Sequence, residues 1–311
     1  LLSSDDLRFI AQLLRQDSLA AASRALGVTP SAVTQRLQGL EARLGVRLVE
    51  RSTRRAVPTS EGELLLGEAE AVLERLDALA DRLHERSGKV SGELRVQAPF
   101  GFGRHFVAQM AGEFSALNPQ LRISLTLSER PARALQESHD LTVHIGALRD
   151  SSMIGFRLAE NARLACAAPG YLRARGIPRT PADLIGHACL ALRENDEEAA
   201  TWRFKGSSGV QKVRIAPAMT SNDGEVVRDW ALAGLGIAVR SEWDVAPLIA
   251  SGRLVRVLEG YALPEAPVMA LVPARRGQTV RCRAFVEFMR ARLAQPPWRR
   301  RAAPARRKPA R

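Results

Sequence analysis

Ser31, Thr34, Gln35 and Gln38 offer the most specific chemistry in this chain. They share one face of a segment whose other face, Val33, Leu37, Leu40 and Leu44, repeats at spacings of four, three and four. A helix with that pattern buries its aliphatic stripe and turns hydroxyls and amides outward. Gln side chains suit bidentate pairing with adenine in a major groove, while Ser and Thr discriminate less. Arg47, Arg51, Arg54 and Arg55 follow closely, and such a cluster suits phosphates, which position a protein on DNA without reading its sequence. The candidate DNA contacts are therefore Thr29, Ser31, Thr34, Gln35, Arg36 and Gln38 on the helix and Arg51, Arg54 and Arg55 beyond it. A polar helix face is often merely solvated, and it is the neighbouring arginines and the charge of the whole chain that favour nucleic acid here.

Catalytic chemistry has no comparable foothold. The five histidines, His84, His105, His139, His144 and His187, are scattered, with no HExxH or Cys-His metal spacing. There is no Gly-x-Ser-x-Gly elbow and no GxxxxGK phosphate loop. Cys166, Cys189 and Cys282 are odd in number and widely spaced, which reads as buried, reduced thiols of a cytoplasmic protein rather than a disulfide framework or a redox pair. No enzyme activity, metal or cofactor is expected.

The elements that would hold the polar face are short and clearly punctuated. Ser18 is an N-cap candidate for a helix ending near Leu26, and Gly27 supplies the turn. Thr29 then caps the reading helix, with Pro30 at its first position and Gly45 at its end. Residues 48–51 and 56–58 read as two wing strands around a turn at 52–55. A preceding helix, capped by Ser3 or Ser4 and carrying Leu7, Ile10 and Leu14, completes a trihelical core. After the wing, Ser60 and Glu63 form a plausible capping box for a helix reaching about residue 86. Its Leu65, Ala69, Val72, Leu76, Leu79 and Leu83 alternate by four and three, a narrow heptad seam that calls for a second helix like itself. Leu65, Val72, Leu76, Leu79 and Leu83 are thus the candidate dimerisation residues, which would set two reading helices on two half-sites.

Small residues and two glycines at 87–92 break that helix. Beyond it strands and helices alternate: strands at 94–96, 121–127 and 141–145, helices at 103–117 and 132–137, then a second round from residue 163. That rhythm predicts mostly parallel sheets covered on both sides. Residues 202–204 and 213–215 suggest a hairpin, Asn222 a helix cap, and 279–293 a closing helix. In open sheets of this kind ligands bind beyond the carboxyl ends of the strands. The turns there hold Pro99, Phe100, Gly101, Phe102, Gly103, Ser128, Glu129, Gly146, Arg193 and Asn222, the candidate small-molecule contacts. Helix starts at Gly103 and Asn222 would aim free N–H groups into the cleft, favouring an anion. The same residues also have plainer readings. Gly101 to Gly103 suits a tight turn and is no dinucleotide fingerprint, because Phe106 occupies the third glycine position, and Asn222 with Glu225 suits a simple capping box.

The order Ser18, Ala21-Ala22, Leu26, Val28, Ala32-Val33-Thr34, Leu40-Glu41, Leu44-Gly45, Leu48, Glu50-Arg51, Thr59 and Gly62 resembles the winged helix-turn-helix of LysR-type transcriptional regulators. The departures are Thr29-Pro30-Ser31 where the family usually has Ser-Gln-Pro, Val49 for a Phe, and Pro58 for a Leu. Asp140 to Val143 and Ala231 to Ala238 are also familiar from the family, so that the resemblance covers about residues 2–293. It looks most like the subgroup that regulates organic-acid metabolism, D-malate degradation included. The resemblance implies an α/β chain: a winged helix-turn-helix at 1–59, a linker and dimerisation helix at 60–87, and an effector-binding domain at 92–295. That domain would be two Rossmann-like subdomains like a type 2 periplasmic binding protein, the first about 92–160 with 268–295 and the second about 164–261.

The net charge of +13 agrees with a polyanionic partner, although residues 296–311 alone carry seven basic residues and no acidic one and read as a basic, disordered tail. No signal or membrane-spanning pattern is seen, and a cytoplasmic protein is expected. The partners expected are double-stranded promoter DNA, further copies of the chain as a homodimer or homotetramer, a small anionic effector, and RNA polymerase if the protein activates. The alternatives are a DNA-binding member with no ligand response, a small-molecule-binding protein, which leaves the first ninety residues unexplained, or an enzyme.

Overall fold

The computed structural model describes residues 2–14, 16, 18–50, 57–85, 90–128, 139–146, 153–193, 201–207, 209–273 and 279–299, and the chain divides into two units, Leu1–Ser87 and Gly88–Arg311. The first unit is built by its caps. Ser3 and Asp6 cap each other reciprocally, each backbone N–H reaching the other's side chain at 3.1 Å, and this starts α1 (Ser4–Leu14). The Ser18 hydroxyl accepts from the Ala21 amide at 3.1 Å to start α2 (Leu19–Leu26), and Gly27 ends it with φ at 67°, a conformation glycine adopts without steric cost. Thr29 caps α3 (Pro30–Leu44) through the Ala32 amide, and Gly45 closes it.

Val33, Leu37 and Leu40 from α3 join Leu7, Phe9, Ile10 and Leu13 from α1 and Ala22 from α2 in one core. The Glu41 carboxylate accepts from the Leu48 and Val49 amides at 2.7 and 3.3 Å, so the reading helix itself fixes where the wing begins. The wing is held by the bridge between Val49 and Pro58 and by the Glu50 amide donating to the Val57 carbonyl. Its predicted turn, with Arg51, Arg54 and Arg55, lies outside the described residues.

Helix α4 (Ser60–Glu85) starts one residue from the expected box. Thr59, not Ser60, is the cap: its hydroxyl accepts from the Gly62 amide at 3.1 Å and donates to the Arg47 carbonyl at 2.6 Å, so one side chain serves helix and wing together. Gly62 is required because a Cβ there would collide with the Leu48 carbonyl. Along α4 the apolar seam divides. Ala69 is buried and Leu65 and Leu73 are partly buried in the unit's own core, whereas Val72, Leu76 and Leu79 are 40%, 41% and 54% exposed. Ala69 and Leu65 therefore serve the trihelical core, and the free part of the stripe begins at Val72.

The second unit holds two five-stranded sheets. The first comprises β1 (Gly92–Ala98), β2 (Leu121–Leu127), β3 (Leu141–Ile145), β4 (Met153–Ala159) and β12 (Val268–Pro273), in the order β2-β1-β3-β12-β4. The second comprises β5 (Arg163–Ala167), β6 (Cys189–Leu192), β9 (Pro217–Ser221), β10 (Ile237–Ser241) and β11 (Val255–Arg256), in the order β11-β5-β10-β6-β9. Strands β7 (Thr201–Gly206) and β8 (Gly209–Arg214) form the predicted hairpin as a separate pair.

Both large sheets are mixed rather than mostly parallel: β12 runs antiparallel to β3 and β4, and β10 runs antiparallel to β5. The chain leaves the first sheet for the second between β4 and β5, across residues 160–162, and returns to the first as β12. Strands β4 and β9 escape the sequence pattern, the first interrupted by Gly155 and the second opening on Pro217.

The predicted helix at 103–117 is three pieces: α5 (Phe100–Phe102), a π-helical turn (Gly103–Val107) and α6 (Ala108–Leu117). The predicted helix at 132–137 lies outside the described residues. Among the described residues four more α-helices follow, α7 (Pro169–Arg175), α8 (Gly224–Leu232), α9 (Glu242–Ala250) and α10 (Val280–Leu293). Where the chain passes between the sheets, buried Asn161 joins the two passages. Its side-chain N–H donates to the Ala266 carbonyl at 2.7 Å and its oxygen accepts from the Trp243 amide at 3.2 Å.

Past α10 the structure again departs from the sequence reading. Pro297–Arg299 form a 3-10 turn, and Trp298 is buried with its ring centroid 5.3 Å from that of Phe106 and 6.1 Å from that of Phe102. Its indole N–H donates to the Glu160 carbonyl at 3.3 Å, and the Arg299 guanidinium holds the Glu242 carboxylate. The ordered chain therefore extends past residue 295, because an aromatic side chain can fill a site that only the folded sheet creates. All three cysteines are buried and none is in a disulfide, and burial pushes the Cys166 thiol up to about 12 and the Cys189 thiol up to about 11.

Candidate DNA-reading face and effector cleft

The α3 face divides into side chains already engaged and side chains left open. Thr29 and Ser31 share a hydrogen bond at 3.0 Å, and the Thr34 hydroxyl donates back to the Pro30 carbonyl at 3.0 Å. Gln35 and Gln38 are exposed and have no hydrogen-bond partner among the described residues. Arg36 is held down on α1: its guanidinium donates to the Asp5 carbonyl at 3.0 Å and lies 4.6 Å from the centre of the Phe9 ring. It braces the reading helix, as Arg43 does through its 2.7 Å contact with Asp6. The helix thus keeps two adaptable amides outward and uses its own arginines to hold its pose.

In the second unit the structure puts many of the predicted cleft residues to other work. Phe102 is a core residue, fully buried against Phe106, Trp243 and Trp298. At Gly103 a Cβ would collide with Leu127, and its amide already donates to the Pro99 carbonyl at 2.7 Å. At Gly101 a Cβ would lie 2.8 Å from Trp243 and 3.2 Å from Glu225, so this glycine admits two side chains from the second sheet's helices. Both glycines make room for close packing, and at Gly103 the amide is already bonded. Phe100 is half-buried, with the Arg104 guanidinium 6.0 Å from its ring centre. Ser128 is half-buried at the end of β2, its amide bound to the Ala98 carbonyl, and Glu129 lies outside the described residues. Gly146, with φ at 124°, is buried after β3 and donates to the Pro267 carbonyl at 3.0 Å. Arg193 is exposed, its amide bound to the Ser221 carbonyl. Asn222 is exposed and caps nothing; Asp223 is the cap of α8, accepting from the Glu225 amide at 2.8 Å. The N-terminus of that helix is therefore already served by a carboxylate.

What joins the two sheets' helices is a charged network that sequence reasoning missed. Arg104 on the π-turn donates through Nε to Glu225 Oε2 at 2.9 Å, through Nη2 to the same oxygen, and to Asp223 at 3.4 Å. His105 Nε2 lies 2.8 Å from Glu225 Oε1, and Arg228 Nη1 reaches that oxygen at 3.2 Å. Behind it, Arg228 and Arg240 grip the two oxygens of buried Asp244 at 2.8 and 2.9 Å. Gly224 makes room for this, since a Cβ there would collide with the Arg240 guanidinium. Burial pushes the Glu225 carboxyl up, but the hydrogen bonds from Arg104 and His105 and the charges of Arg104 and Arg228 outweigh it and pull it down to about 2. Asp223 and Glu225 at a helix start were legible as dipole partners; their union with Arg104, 119 and 121 residues away, was not.

A separate depression of about 650 Å³ opens elsewhere on the second sheet, beside Tyr171, Arg175, Gly186 and Leu235, and none of the predicted contacts lines it. Among the described residues no cluster of three or more His, Cys, Asp or Glu side chains is placed to hold a metal ion, and no helix is long and apolar enough to cross a membrane.

Residues 4–63 match the family described as bacterial regulatory helix-turn-helix protein, lysR family, and residues 87–294 match the LysR substrate binding domain. The HTH-type transcriptional regulator DmlR of Escherichia coli (strain K12) is 35% identical over 291 residues, covering 94% of this chain and 94% of its own length. Among solved structures, CrgA of Neisseria meningitidis, a LysR-type transcriptional regulator, is 28% identical with a TM-score of 0.59, covering 94% of this chain and 99% of its own. The full-length virulence activator AphB of Vibrio cholerae shares the fold at 24% identity and a TM-score of 0.61, over 93% of this chain and 98% of its own.

Proposed function

Because this chain belongs to the LysR family of transcriptional regulators, we propose that it binds promoter DNA in the cytoplasm as a dimer or tetramer of itself, and that a small anionic metabolite between its two sheets alters that binding. It has a helix-turn-helix DNA-binding unit and a substrate-binding domain, and it is not an enzyme. The observation that carries the paired reading is the stripe Val72, Leu76 and Leu79, three apolar side chains in heptad spacing left exposed on a helix whose earlier turns are committed to its own core. A second copy covers such a stripe and duplicates the Gln35 and Gln38 face, as two half-sites require. By sequence spacing Leu83 is the next position of the heptad repeat. The arginines at 51, 54 and 55 contact phosphates, and an activating complex recruits RNA polymerase.

The metabolite acts by differential affinity. Whichever arrangement of the two sheets it binds better becomes more populated, and the paired readers follow. Leu76→Asp tests the assembly: sedimentation of the unaltered chain should give a dimer or larger and the variant a monomer that binds promoter fragments poorly. An unchanged mass would reject the seam.

A further inference from the structure

The Glu225 carboxylate sits in a receptor made for a carboxylate. Its Oε2 takes Nε and Nη2 of Arg104, and its Oε1 takes His105 and Arg228, so four donors meet the lone pairs of both oxygens. The donors come from elements of both sheets: Arg104 and His105 from the π-turn beside the first, Arg228 from α8 beside the second. Holding a helix start needs far less, since Asp223 already caps it. Solvent reaches two of the three donor side chains far better than the carboxylate they hold, with exposures of 45% for Arg104 and 52% for His105 against 15% for Glu225, while Arg228 is 19% exposed. Arg228 also keeps a second partner, Asp244, that stays behind if Glu225 leaves.

We propose that Glu225 is a tethered stand-in for the effector's carboxylate, and that an anionic effector binds by taking its place on Arg104, His105 and Arg228. This rests on the reading that the cleft senses an anion, and it adds the seat and the competitor. Displacing Glu225 leaves only the 3.4 Å contact between Arg104 and Asp223 in this network to tie the π-turn to the start of α8, so occupancy of the seat and arrangement of the sheets become coupled. The ligand class is a small carboxylate with a planar, two-oxygen head. Arg104 meets it with its fork, as a lysine could not.

Malonate, with malonamide as its neutral match, tests this on the full chain by tryptophan fluorescence, because the Trp243 ring lies 6.3 Å from that of His105. If the tethered carboxylate fills the seat about nine-tenths of the time, Glu225→Gln should bind malonate about tenfold more tightly than the unaltered chain. Glu225→Asp, which keeps the charge on a shorter arm, should fall between them and guards against a folding defect in the first variant. Arg104→Met should lose malonate binding, and malonamide should bind none of them. Equal malonate affinity in Glu225→Gln and the unaltered chain, or full binding by Arg104→Met, overturns the seat but leaves an anionic effector elsewhere in the cleft standing. Failure of malonate to bind Glu225→Gln overturns the seat as well. The anion reading itself is judged separately, by whether carboxylate metabolites change promoter binding of the unaltered chain.

Discussion

The reading face of α3 and the network around Glu225 are both polar, yet they are built in opposite ways. The first is drawn from ten consecutive residues, Thr29 to Gln38, and its useful groups are those left without a partner among the described residues. The second joins residues 119 to 121 positions apart, and its groups are defined by their partners. On the proposed reading, a surface that meets an outside molecule of fixed geometry keeps amides free on a rigid helix, and a site that responds to a small molecule is held by contacts a ligand can replace.

That contrast makes three measurements informative. The largest effect belongs to the buried end of the network. Asp244→Ala leaves Arg240, 5% exposed, without its counter-ion, and should cost about 3–5 kcal/mol in urea unfolding of the second unit. A loss within experimental error would mean the charges there are solvated, and the contrast with the reading face would fail. Next comes Gln35→Ala, which should narrow the gap between cognate and random DNA by about 1–3 kcal/mol while leaving the melting curve alone. Equal losses on both DNAs would make the α3 face another positioning surface.

The smallest effect is the pH response of the exposed end. Glu225 is pulled to about 2 from an ordinary 4.5, so its contribution is fully present above the ordinary value and fades as pH falls through the folded one. Facing Arg104, His105, Arg228 and Asp223, it should make the melting temperature of the unaltered chain fall more between about pH 5 and pH 3 than that of Glu225→Gln. Solvent screening at the half-exposed Arg104 keeps the difference modest, and identical slopes would remove Glu225 from the account.

How much could be read beforehand follows the same division. The caps at Ser18 and Thr29 and the turns at Gly27 and Gly45 are decided within a few residues, and the chain spells them out. At Thr59 and Asp223 the true cap stands beside the predicted one, because two polar neighbours compete and a distant partner chooses: the Arg47 carbonyl in one case, Arg104 in the other. The return of the chain to the first sheet was expected from the family resemblance, but the mixed strand directions were hidden because no local pattern records which way a strand runs. Gly101 and Gly103 were recognised as special positions, but what they make room for was not. A glycine advertises close approach, and only the fold names Trp243, Glu225 and Leu127 as what approaches.

Trp298 and Arg299 carry a practical corollary. The indole wedges beneath Phe102 and Phe106 while the guanidinium clamps Glu242, so these last described residues grip both halves of the second unit where the chain passes between them. A truncation at the end of α10, where the family match stops, would discard that brace and loosen the very joint whose equilibrium is to be measured. Fragments made for calorimetry or ligand screening belong with their boundary beyond Arg299.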